Sequence, residues 1–129
     1  MITADDAWDR ALDYGTPLEE PGDRALRTAL TFHGSVANGG LLNAVQMYRD
    51  DEEFPLDAAI GAFEYFGLPE TARLIQDCDD REEQAQGDED TLEALEEEFD
   101  PQYALEDDEL SEALAVALRE RPVDFAPAS

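Results

Sequence analysis

Apolar residues recur every three or four positions along most of the chain, the spacing that turns one side of a helix inward and leaves the other in water. Ala4, Ala7, Trp8 and Ala11 make the first such stripe, with Thr3 placed to cap it and Gly15 and Pro17 closing it after about Tyr14. A second follows Pro21-Gly22, with Asp23 as its cap and Leu26, Ala29, Leu30, His33 and Val36 or Ala37 on its inner face. Asn38-Gly39-Gly40 interrupts the pattern, both glycines allowing positive φ and Asn38 being suited to cap the helix that follows. Leu41, Ala44, Val45 and Tyr48 form the third stripe, which runs into a solvated charge run, Asp50 to Glu53.

Pro55 opens a fourth helix with Leu56, Ala59, Ile60 and Phe63 inward; Gly67 ends it and Pro69 starts a fifth carrying Leu74, Ile75 and Cys78. Polar, glycine-containing sequence without periodicity predicts a mobile loop over about 82–91. Leu92, Leu95 and Phe99 resume the helical spacing, Asp100-Pro101 breaks it, and Leu110, Ala113, Leu114, Ala117 and Leu118 form the most regular stripe before Pro122 and a frayed tail over about 122–129. No window alternates β-branched and polar residues, so strands have no support. The pattern predicts an all-α fold, a compact single-domain bundle of six or seven short helices spanning residues 1–129.

Composition changes the picture in one respect. The chain carries 34 Asp and Glu against eight Arg and no Lys, a net charge of −26. Such a field repels nucleic acid and anionic membranes and attracts cationic surfaces, through contacts that weaken as salt screens them. The expected partner is a basic protein, not nucleic acid or a membrane. Hydrophobic residues still make up 43% of the chain, enough to support a folded core. The start MITADDAWDR has neither the basic nor the apolar segment of a secretion signal, and Cys78 is alone, so a reducing cytoplasmic setting is expected.

Candidate chemistry is sparse. The one histidine, His33, lies on an apolar helix face, where a core role outweighs a catalytic one. The segment Glu82 to Glu93 places Gly87 and Glu93 as a calcium loop would, but Glu82, Gln84 and Gln86 stand where its first ligands belong. Asn38-Gly39-Gly40 lacks the spacing and the lysine of a phosphate loop. The sequence therefore predicts no enzyme, no cofactor and no dedicated metal site.

The acids themselves are unevenly spread. Asp77 to Glu112 holds eighteen of the 34 acids and one base, Arg81. Within it Glu93, Glu96, Glu97 and Asp100 follow the i, i+3, i+4, i+7 rule and line one helix side as a carboxylate ridge. Carboxylates four residues apart repeat about every 6 Å along a helix, a spacing comparable to successive phosphates. A protein that holds DNA through Arg and Lys contacts to phosphate can be captured by such a surface. The alternative is a helical interaction or immunity-type module whose acidity reflects a high-salt host.

Three stretches carry a family resemblance: TFHGSVANGGLLNAVQMY, LDAAIGAFEYFGLPETARLIQDC and EEEFDPQYALEDDELSEALAVALRERPVDF. Together they resemble the helix, Asn-Gly-Gly, helix core, the following helix pair and the acidic C-terminal segment of a family of small bacterial domains of unknown function, typified by the neisserial DNA-mimic protein. Leu41 stands where that family often has an aromatic residue. The resemblance implies a DNA mimic that occupies the basic DNA-binding surface of a regulator or other nucleic-acid-binding protein, and a homodimer. It also implies partner-binding roles for Glu96, Glu97, Glu98, Asp100, Glu106, Asp107, Asp108, Glu109 and Glu112. Charge density adds Asp77, Asp79 and Asp80, and the ridge adds Glu93.

Overall fold

The computed structural model describes residues 2–127 and contains seven α-helices, with no strand among the described residues. They are α1 (Ala4–Leu12), α2 (Pro21–Gly39), α3 (Leu41–Tyr48), α4 (Leu56–Tyr65), α5 (Pro69–Ala85), α6 (Glu89–Phe99) and α7 (Asp107–Glu120). Short 3-10 turns, Asp100–Gln102 and Pro122–Asp124, follow α6 and α7. The expected all-α bundle is therefore the fold.

α2 is the central element. It packs on α1, α3 and α4, while α5 lies against α3, α4 and α6, and α7 closes the bundle against α1. The apolar stripes converge in one core in which Leu26, Phe32, Leu41, Val45, Phe63, Ile75, Leu110 and Leu114 are fully buried. Phe32 is absent from the α2 stripe read in the sequence, yet it meets Phe63 edge-on at 6.1 Å and Tyr48 at 6.0 Å. With neighbours on several sides, α2 buries more than one stripe.

Several helix ends differ from the sequence expectation. Thr3 does cap α1, its hydroxyl accepting the Asp6 N–H at 3.1 Å. Asp23 does not cap α2, which starts at Pro21; its carboxylate is instead 2% exposed and takes Arg10 Nη2 at 2.7 Å. Asn38 does not cap α3 either. Gly40 holds that position at φ 90°, and Asp100, from beyond α6, accepts the Leu42 N–H at 3.0 Å.

The loop expected over 82–91 is a correction. α5 continues to Ala85, which is buried, and only residues 86–88 connect it to α6. Gln86 and Gly87 take left-handed φ values of 49° and 79°, and Asp88 caps α6 by accepting from the Thr91 N–H at 3.0 Å. The tail reading is corrected as well. Phe125 is buried against Gly22, where a Cβ would come within 2.7 Å of its ring, and the Ala126 N–H donates to Asp23 at 2.9 Å. Residues 128–129 of that reading lie outside the described residues.

Candidate acidic interface

Six of the eight arginines are tied into the fold. Arg10 pairs with buried Asp23, Arg24 Nε donates to the Leu18 carbonyl at 2.9 Å, and Arg27 donates to the α1 C-terminal carbonyls of Ala11 and Asp13 at 2.8 and 2.6 Å. Arg49 meets Asp79 and Glu82, Arg81 grips Glu98, and Arg121 donates to the Tyr65 carbonyl at 2.9 Å. Cations at helix C-termini are favourably placed against the helix dipole. Little positive charge is left to offset the exposed acids.

The acids divide into structural and exposed groups. Asp79 accepts from Arg49 Nε at 2.8 Å, holding the end of α3 on α5. Burial opposes the Arg49 charge, but the hydrogen bond to Asp79 and the fields of Asp79, Glu82 and Glu83 outweigh it and hold the guanidinium above its ordinary pKa. Glu98 takes both Arg81 nitrogens, at 3.0 and 3.2 Å. Asp100 caps α3. Glu106 and Glu109 form a capping box at the start of α7, and Asp107 accepts from His33 Nε2 at 2.7 Å. Asp80 accepts from Gln76 Nε2 at 3.0 Å, so of the thirteen acids expected to meet a partner, Asp79, Asp80, Glu98, Asp100, Glu106, Asp107 and Glu109 also have partners inside the fold.

The expected ridge is shorter than its periodicity suggested. Glu93, Glu96 and Glu97 are exposed on α6, but the 3-10 turn at Pro101 swings Asp100 onto α3. Asp77 and Asp80 stand exposed on α5, on a cleft of ≈ 410 Å³ shared with Leu74, Arg81 and Glu98. Asp108 and Glu112 belong to a separate block on α7. There Asp5 and Asp9 of α1 join Asp107 and Asp108 around Trp8 and Ser111. Sequence reasoning missed Asp5 and Asp9 because only the packing of α1 on α7 brings residues so distant in the chain together. No Asp or Glu occurs from Arg24 to Arg49, a stretch that α2 and α3 largely bury.

Nucleophiles are muted. Burial, then the nearby charges of Asp100, Asp79 and Glu82, push the Cys78 thiol up to about 12. His33 is not simply a core residue: Nδ1 meets the Tyr103 hydroxyl at 2.9 Å while Nε2 meets Asp107, so the ring bridges α2 to the start of α7. Burial and the Asp107 charge raise the Tyr103 pKa, keeping its hydroxyl protonated. No three His, Cys, Asp or Glu side chains among the described residues converge as a metal site, and Glu82, the first residue of the calcium-like segment, is paired with Arg49. No helix among the described residues is long and apolar enough to cross a membrane.

Comparison with curated proteins and with solved structures gives no match. The sequence profile of the family described as DMP19-like protein matches residues 18–121, which covers α2 through α7 and every acid of both blocks except Asp5 and Asp9. The chain belongs to the DMP19-like family.

Proposed function

We propose that the protein is a non-catalytic DNA mimic, whose exposed carboxylates occupy the basic DNA-binding surface of a regulator or other nucleic-acid-binding protein. The observation that carries this reading is the concentration of acids in Asp77 to Glu112, many of them exposed on α5, α6 and α7, with most arginines engaged internally. An acid coat acquired only for a salty interior has no reason to gather eighteen of 34 acids between Asp77 and Glu112. Family membership supports the same reading.

Capture from the host's lysate at low salt, with the protein as bait, is expected to enrich a DNA-binding protein that is released by about 0.5 M salt and by competing duplex DNA. Glu93→Gln, Glu96→Gln and Glu97→Gln are expected to weaken capture stepwise, in proportion to charge removed. Collapse of all activity on a single substitution, or enrichment of no basic protein, would overturn the proposal.

A further inference from the structure

Between the two acidic blocks lies a surface that charge alone does not explain. The corner joining α4 to α5 and the extended segment 102–105 enclose a groove of ≈ 500 Å³. Its walls are the half-buried side chains of Leu68, Leu74, Tyr103 and Leu105, and Glu70 and Glu109 stand at its edges. Leu74 and Gln102 also line the α5–α6 cleft with Asp77 and Asp80, so the groove opens directly into that acidic block. At its other end Glu109 belongs to the first turn of α7, beside Asp107 and Asp108. The His33 bond to the Tyr103 hydroxyl fixes one wall before any ligand arrives.

We infer that this groove receives an apolar side chain from a basic segment of the partner, whose flanking arginines or lysines meet the carboxylates at either end. The inference rests on the reading of the chain as a binder of basic proteins and gives that binding its anchor. Charge pairing across exposed surfaces speeds encounter but is screened and only weakly selective, whereas a preformed apolar socket between charged rims holds at high salt and selects one sequence over another. The complementarity is specific: apolar at the centre, negative at both ends, so the occupant is basic, apolar, basic.

The test uses two short Arg/Ser peptides of equal charge, one with a single central Leu and one with Asn in its place. Both should bind at low salt. At about 0.5 M salt the Leu peptide should retain about a tenfold preference, the discrimination expected when one Leu side chain leaves water. Filling the groove by Ala104→Trp from one wall, or Thr71→Trp from the other, should abolish the preference while thermal melting confirms the fold. Neutralising Asp77 and Asp80, at the groove's open end, should weaken both peptides equally and leave the preference intact. Equal binding of the two peptides, or a preference that survives both fillings, overturns the groove while leaving the acidic interface standing. Binding of neither peptide at low salt overturns both.

Discussion

Gly40 is the residue at which one added methyl group does the most local damage. Its φ of 90° disfavours any L side chain, and a Cβ there would run into the Asp100 carboxylate that caps α3. Gly40→Ala is expected to lower stability by about 1–3 kcal/mol in urea denaturation. Asp100→Ala removes the cap and should cost about 0.5–2 kcal/mol while leaving partner capture unchanged, the reverse of Glu97→Gln. Phe32→Ala, which empties a fully buried site, should cost about 3–5 kcal/mol. The break was legible in the sequence because Gly40 takes a backbone that favours glycine, although Gly39 proves to be the last residue of α2. Asp100's role was not, since its receptor lies 58 residues earlier and becomes a neighbour only through tertiary packing. Phe32 escaped notice for the opposite reason: a helix buried on several sides has no single stripe to read.

The α5–α6 hairpin shows how an element can look like a loop. From Gln84 to Asp90 the only apolar side chain is Ala85, too little to show a period, yet it turns inward with Glu82 while Arg49 pins the helix from α3. The turn depends on Asp88, whose side-chain hydrogen bond from Thr91, followed by that from the Thr91 backbone, lowers its pKa below the ordinary 3.8. A carboxyl depressed in the folded state contributes stability above its unfolded pKa and loses that contribution as pH falls through the folded value. The protection factor of the Thr91 amide, its exchange rate corrected for the intrinsic pH dependence, should therefore fall on acidification below about pH 4, and Asp88→Asn should flatten that dependence. The α6 ridge was legible because it is local. The α1 acids that extend the α7 block were not, because no spacing rule links two helices.

At the scale of the whole molecule, a net charge of −26 acts on stability and on binding in opposite directions. Salt relieves repulsion among the exposed acids, so the melting temperature should rise from dilute buffer to about 0.5 M salt, over the same range in which partner capture falls. A cooperative melt in dilute buffer is the expected baseline, and a requirement for molar salt to fold would favour a halophilic origin for the acids. The clasp of Arg10, Asp23 and Ala126 sets a different constraint. Arg10 reaches the Ala126 carbonyl at 3.1 Å, and Ile2 shares a cleft with Ala126 and Pro127, so positions 2 and 127 are spatial neighbours. A short linker can therefore join them, and reopening the chain at Gly87 would yield a circular permutant with both acidic blocks in place and new ends emerging beside the α6 ridge.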